Sequence, residues 1–294
     1  MTEMDFTRLF GEKRILLFDG AMGTEVAARG GDTGVESNLR NPQTVLAVHQ
    51  DYVRAGADML ITNTFILNHI SMVKRKAAVS MREANSAAVR LAVEAAGGKL
   101  PVFGDLGPTG ELLKPYGTFT EDQFYQCYAE QASILAEEGV DGLIIETVSD
   151  LREAECALRA CREKNNLPVI LSLAYTSSGK GGRTIMGVTV KEAAEAAEKY
   201  GADAVGANCG DLDPLGMAEI VALYKKSTAL PVIVQPNAGK PKLADGKTVF
   251  DMQPEEFAEG MLACLAAGAT IVGGCCGTTP AHIDALRRRI RPAG

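Results

Sequence analysis

Short apolar runs alternate along this chain with longer amphipathic stretches. Eight runs rich in β-branched and aliphatic residues cover Arg14–Gly20, Ala57–Thr64, Pro101–Gly107, Asp141–Thr147, Pro168–Tyr175, Ala204–Gly210, Pro231–Gly239 and Ala269–Cys276. Each ends in polar or glycine residues, as a buried strand does where it reaches a turn. Between them lie segments of helical periodicity: Pro42–Ala55, Met81–Ala96, Thr120–Glu138, Asp150–Asn165, Val190–Tyr200, Pro214–Ser227 and Pro254–Ala267, with Thr279–Arg291 closing the chain. Asn41, Thr120, Asp213 and Thr279 stand where helix N-caps belong, three of them directly before proline. Gly56, Gly139, Gly201 and Gly268 stand where helices should end.

Strand–helix alternation implies βαβ units and a parallel sheet. Eight repeats predict an α/β fold of the (β/α)8 TIM-barrel type, with residues 1–294 forming one domain. The alternative is an open doubly wound sheet. Its Gly-x-Gly-x-x-Gly fingerprint is missing after the first strand, where the chain reads Asp-Gly-Ala-Met-Gly-Thr-Glu. One connection is longer than the rest, Thr176–Thr189, rich in Gly and Ser, and is expected to be a mobile rim loop.

Composition narrows the class. A formal charge of −7 with no basic block argues against nucleic acid or an anionic membrane surface as partner. No apolar run is long enough to span a bilayer, and the first residues lack signal-peptide features, so a cytoplasmic location is expected. Seven cysteines, an odd number, point away from a disulfide framework. Cys127, Cys156, Cys161 and Cys264 fall within helical patterns and read as small buried residues. The pattern does not define an oligomeric state.

In a barrel the reacting groups sit at the C-terminal strand ends. These ends supply Asp19-Gly20, Thr62-Asn63-Thr64, Asp105, Glu146-Thr147, Asn208-Cys209-Gly210, Asn237 and Gly274-Cys275-Cys276-Gly277. Two adjacent cysteines can be no more than small buried residues. A third at the matching height, Cys209 on the sixth strand against Cys275 and Cys276 on the eighth, turns the reading toward a thiolate-rich metal site with one coordination position open. Gly273, Gly274 and Gly277 would let the backbone turn both neighbouring sulfurs inward. Asp19 and Glu146 should face the barrel mouth, either paired with cations or capping helices, or holding the polar head of a ligand. Asn237 is either turn chemistry or an oxygen able to fill the fourth metal position. His49, His69 and His282 lack ligand spacing and read as inert, and no Gly-x-Ser-x-Gly elbow is present.

The motifs Leu-Phe-Asp-Gly-Ala-Met-Gly-Thr-Glu (17–25), Ile-Thr-Asn-Thr-Phe (61–65), Gly-Pro-Thr-Gly (107–110), Ile-Glu-Thr (145–147), Gly-Ala-Asn-Cys-Gly (206–210), Pro-Asn-Ala-Gly (236–239) and Gly-Gly-Cys-Cys-Gly-Thr-Thr-Pro-x-His-Ile (273–283) together resemble the homocysteine-binding barrel of the homocysteine S-methyltransferase family. The resemblance implies a catalytic Zn²⁺ on Cys209, Cys275 and Cys276, and an L-homocysteine pocket at Asp19, Gly20, Thr62 and Glu146. It implies that Asn237 occupies the metal when substrate is absent, and that the product is methionine.

The betaine-using branch needs an aromatic cage. This chain has no Trp, Thr at 147 and Ile at 66 where that branch has tyrosines. Gly107–Gly110 with Leu113–Gly117 looks most like the N-terminal module of cobalamin-dependent methionine synthase. That likeness implies methylcobalamin or another methylcorrinoid as donor, expected on a separate corrinoid protein. The alternatives are S-methylmethionine as donor, a corrinoid-pathway enzyme acting on another thiol, and a structural zinc barrel without catalysis.

Overall fold

The computed structural model describes residues 15–244 and 247–291. Arg14, the first residue of the first predicted strand, lies outside them, as do both ends of the predicted domain. Eight strands form one sheet: β1 Leu16–Leu17, β2 Leu60–Ile61, β3 Val102–Leu106, β4 Gly142–Val148, β5 Val169–Leu173, β6 Ala204–Asn208, β7 Val232–Gln235 and β8 Ile271–Val272. Neighbours pair in parallel in the order β1-β8-β7-β6-β5-β4-β3-β2. A parallel bridge between Phe18 and Met59 joins β1 to β2 and closes the ring. The predicted barrel is the observed one.

The eight predicted helices are all present: α1 Pro42–Ala55, α2 Met81–Ala96, α3 Glu121–Glu137, α4 Leu151–Lys164, α5 Val190–Lys199, α6 Pro214–Ser227, α7 Pro254–Ala266 and α8 Pro280–Ile290. Thr120 forms a reciprocal capping box with Gln123, and Asp213 accepts from Gly216 N at 2.9 Å. Asn41 stands at the N-cap as read, but its side chain makes no cap bond, and Pro42 with its fixed φ opens the helix. The predicted Thr176–Thr189 loop is a correction. Tyr175–Ser177 pairs antiparallel with Arg183–Thr184, which gives that segment a hairpin. A second hairpin, Lys242–Ala244 with Lys247–Val249, lies between β7 and α7. Three short helices, Gly23–Ala28, Ser37–Arg40 and His69–Lys74, occupy the first two rim connections.

Residues along each strand alternate between two cores, as the period of two requires. Leu16, Phe18, Met59, Ile61, Phe103, Ile144, Ile170, Ile233 and Ile271 fill the barrel interior. Their strand neighbours Leu17, Leu60, Val102, Leu143, Ile145, Leu171, Val205, Val234 and Val272 pack outward against the helices. Full burial of such a side chain contributes about 1.5–3 kcal/mol. Phe18 and Phe103 meet edge to face at 5.1 Å and plug the ring below the mouth. Gly142 makes room for that plug, since a Cβ there would come 2.4 Å from the Phe103 ring.

His49 is buried on α1 with no hydrogen-bond partner on either ring nitrogen, and burial lowers its pKa to about 4. The unfolded imidazole takes a proton near 6.5, whereas the folded one refuses it until about 4. Stability present above 6.5 is therefore lost as the pH falls through that window. Between pH 7 and pH 5 the wild type should lose about 2 kcal/mol more than His49→Leu in urea unfolding. Parallel losses in the two proteins would show that His49 protonates freely in the fold.

Candidate metal centre and substrate pocket

The sheet ladder stops short of the residues that carry chemistry. β8 ends at Val272, and the Cys-Cys pair lies in the turn beyond it rather than on the strand. Gly274 N donates to Asp19 O at 3.1 Å and Cys275 N to Pro236 O at 2.9 Å, so this turn is stitched to the ends of β1 and β7. The Thr278 backbone N–H (3.1 Å) and hydroxyl (2.7 Å) both donate to Cys275 O, folding the backbone back on itself. A Cβ on Gly274 would sit 2.4 Å from Thr278 Oγ1. The close turn that brings both sulfurs to one side therefore needs glycine at 274. Cys209 follows the last residue of β6 with φ of 52°, a left-handed conformation, and its N–H is held by Gln235 O at 3.1 Å. A non-glycine residue there costs on the order of 1–3 kcal/mol, typical of backbone strain kept at functional sites.

These turns bring together the three predicted ligands. The sulfurs of Cys209, Cys275 and Cys276 all lie within 4.8 Å of one another, and Cys275 and Cys276 are 4.0 Å apart. Zn–S bonds of about 2.3 Å in a tetrahedron place sulfurs on the order of 3.8 Å apart. The spacing and the soft donor set fit zinc. Asn237 Nδ2 donates to Gly210 O at 3.0 Å, and its side chain helps hold the Cys209 thiol below its usual range. Asn237 Oδ1 is buried with no protein partner, an acceptor free for a cation beside the triad.

The thiols share a single ionisation. Hydrogen bonds from Cys275 and Cys276 hold the Cys209 thiol far below its usual range. The resulting thiolate pushes the other two up. Three charges so close coexist only around a cation.

The triad forms one wall of a cavity of about 600 Å³ at the C-terminal mouth. Gly20, Thr62, Asp105, Glu146 and Thr147 form other parts of its lining, and no Lys, Arg or His is among the described lining residues. Of the predicted pocket residues, Gly20, Thr62 and Glu146 line the cavity. Asp19 sits behind its wall, fully buried, with Oδ2 accepting from Ile61 N at 3.0 Å and Oδ1 unpaired. The Thr62 hydroxyl accepts from Asp105 N at 3.0 Å and lies 2.7 Å from that of Thr64, so it ties β2 to β3.

Asp105 is the acid that the strand-end reading names without giving it a role. It is buried, lines the cavity and leaves Oδ1 without a partner. Its position near the end of β3, beside the strand that carries Glu146, was the available signal. Burial raises Asp19, Asp105 and Glu146 above the usual carboxylate range. Glu146 reaches about 8, with the Cys209 charge adding to the effect. The pocket thus concentrates acid without a base and would welcome a cation.

A sequence profile of the homocysteine S-methyltransferase family matches residues 16–290. The chain belongs to the homocysteine S-methyltransferase family. The family is named for homocysteine S-methyl transfer. It is 31% identical over 292 residues to methionine synthase of Mycobacterium tuberculosis and 30% identical to that of Mycobacterium leprae. Each alignment takes in 92% of this chain but 24% of the relative, so the chain spans about a quarter of those proteins.

Among solved structures, the metallated form of the homocysteine methyltransferase MmuM from Escherichia coli superposes with a TM-score of 0.80 at 26% identity. The match covers 96% of this chain and 98% of that one. Its oxidized form gives 0.82, covering 97% and 100%. The carboxyl transferase domain of Rhizobium etli pyruvate carboxylase, at 17% identity and a TM-score of 0.56, shares the fold, with 96% of this chain and 49% of that one covered.

Family membership and sulfur spacing generate the same expectation. The reduced protein should carry one equivalent of zinc. Cys275→Ser should lose most of it on gel filtration, while Cys156→Ser, altered in a buried helical cysteine, should keep it. Elemental analysis measures both, and a full equivalent retained by Cys275→Ser would remove Cys275 from the ligand set.

Proposed function

We propose that this chain is a zinc-dependent methyltransferase that methylates the thiol of L-homocysteine to give methionine. The observation that carries the reading is the thiol triad opening on a cavity lined by carboxyl groups and no basic residue. Zinc held by Cys209, Cys275 and Cys276 would supply a Lewis acid that keeps the substrate thiol ionised at neutral pH, where a free thiol of pKa about 8.5 is mostly protonated.

The chain's own residues do the rest. Glu146 and Asp105 receive the ammonium, and its charge offsets the burial that disfavours their ionised forms. Gly20 lies close against Thr278 and Tyr52, with Ala21 N donating to Thr278 Oγ1 at 3.1 Å and Tyr52 OH donating to Ala21 O at 2.8 Å. This pinned turn forms the wall against which the amino-acid end of the substrate would be seated. Asn237 Oδ1 offers the acceptor that stands in for substrate sulfur when the pocket is empty. The thiolate sulfur takes the methyl group, and the donor departs with the electrons of the broken bond.

Phe65 is the one aromatic residue among the described residues lining the cavity, too little to cage the quaternary ammonium of betaine. For the donor we infer a methylcorrinoid presented by a carrier protein. The identity to methionine synthases and the Gly107–Gly117 likeness support this. One observation favours a second reading, a sulfonium donor such as S-methylmethionine. Acid lines the cavity without any basic side chain, and it would stabilise a cationic donor as readily as an ammonium.

Supplying purified zinc enzyme and homocysteine with methylcobalamin or with S-methylmethionine, and measuring methionine by mass spectrometry, separates the two. Turnover with methylcobalamin is expected. Turnover with S-methylmethionine alone overturns the corrinoid assignment and leaves the acceptor chemistry in place. In the same assay Glu146→Ala should raise the homocysteine KM at least about tenfold, the loss of one charge-assisted contact, while zinc stays bound. An unchanged KM would take Glu146 out of the pocket.

A further inference from the structure

Two of the non-glycine residues with left-handed backbone lie in the cavity wall, Cys209 and Thr147, and one side chain reaches both neighbourhoods. The β4–β5 ladder shifts register between Ile145 and Val148, so Glu146 and Thr147 form a bulge. Bulges re-aim side chains next to active sites. Here the bulge is what turns Glu146 into the mouth. Thr147 has φ of 61°, a conformation that a β-branched residue adopts only when its surroundings enforce it.

The enforcing group is Asn208, fully buried at the end of β6. Its Oδ1 accepts from Thr147 N at 2.9 Å and from Ser172 Oγ at 2.8 Å. Its Nδ2 donates to Thr147 Oγ1 at 2.7 Å and reaches Cys275 Sγ at 3.8 Å. One carboxamide therefore joins β4, β5 and the Cys-Cys turn after β8, while its own backbone carries Cys209. Its carboxamide touches both the thiol triad and the bulge that aims Glu146.

We propose that Asn208 is a positioning residue that sets the metal centre and the ammonium subsite together. The inference rests on the reading of the site as a zinc and homocysteine pocket. The N–H bond to Cys275 Sγ orients that ligand and tempers its charge, the role of outer-shell donors, whose loss typically costs 10–100-fold in metal affinity. The bonds to Thr147 hold the bulge and with it the direction of Glu146. Side chains that act on one half alone would show one effect. Asn208 should show both.

The test uses Asn208→Leu and Asn208→Asp in the full chain, with zinc affinity of the reduced apoprotein read by chromophoric chelator competition and homocysteine affinity read by calorimetry on the zinc-loaded protein. Asn208→Leu should weaken both by at least about tenfold. Asn208→Asp keeps the acceptor for Thr147 N and Ser172 Oγ but loses both donors, and should weaken zinc more than homocysteine. It also keeps the test decisive should the leucine variant not fold. Thr147→Gly removes the cost of the left-handed backbone, so adding it to either Asn208 variant should restore homocysteine affinity without restoring zinc.

Wild-type affinities for both ligands in the Asn208 variants would overturn the proposal. So would an equal loss of both that Thr147→Gly leaves unrepaired, the mark of general destabilisation. If the wild type itself binds neither zinc nor homocysteine, it is the reading of the site that fails.

Discussion

Three sulfurs held within 4.8 Å of one another cannot all be thiolates in the absence of a cation between them. That electrostatic constraint organises the mouth of this barrel. Without a cation one thiol, Cys209, takes the charge and the other two remain protonated as its donors. With a divalent cation all three can ionise, and the same geometry becomes a ligand set. The fold keeps them close through backbone bonds from the Cys-Cys turn to the ends of β1 and β7 rather than through the sheet ladder. The barrel supplies a rigid ring, and the departures from regular strand at its rim supply the chemistry.

Those departures have a cost, and its placement is informative. Left-handed φ at Cys209 and Thr147, the bulge in β4 and the close approaches at Gly20 and Gly274 all fall on one face of the molecule. Below it, the interior from Phe103 to Ile271 is regular and apolar. A plug such as the Phe18–Phe103 pair can support strain above it because it is packed and dry. Local strain of a few kcal/mol persists where the surrounding structure over-determines it. Here the determinants are hydrogen bonds between strands far apart in sequence, such as Asn208 to Thr147.

This explains which parts were legible in the sequence. The barrel was readable because strand and helix periods are properties of short windows, and eight repeats leave few alternatives. Cys209, Cys275 and Cys276 were readable because they are rare residues at matching heights on a ring whose order follows the chain. The hairpins Tyr175–Ser177 with Arg183–Thr184 and Lys242–Ala244 with Lys247–Val249 were missed because their strands, two or three residues long, are too short to show a period of two. The recessed position of Asp19 could not be read, since its bond to Ile61 N depends on how β1 lies against β2. The importance of Asp105 and Asn208 lay in the same blind spot. Asp105, marked only by its place at a strand end, acquires its role by burial beside Glu146, and Asn208 acquires its role by reaching across two strands.

The balance of charge in the pocket says what kind of thiol it would select. Three thiolates on a divalent cation carry a net negative charge, and a fourth thiolate adds to it. Burial disfavours the ionised forms of Asp105 and Glu146 in the wall and of Asp19 behind it, and no basic side chain among the described lining residues offsets that. A thiol bearing only a carboxylate brings no cation to offset that burial. A thiol that carries its own ammonium on the same carbon skeleton brings the missing cation, and so permits the wall acids to ionise and the sulfur to approach the cysteines at once. On the proposed reading, the electrostatics of the wall favour an amino-acid thiol.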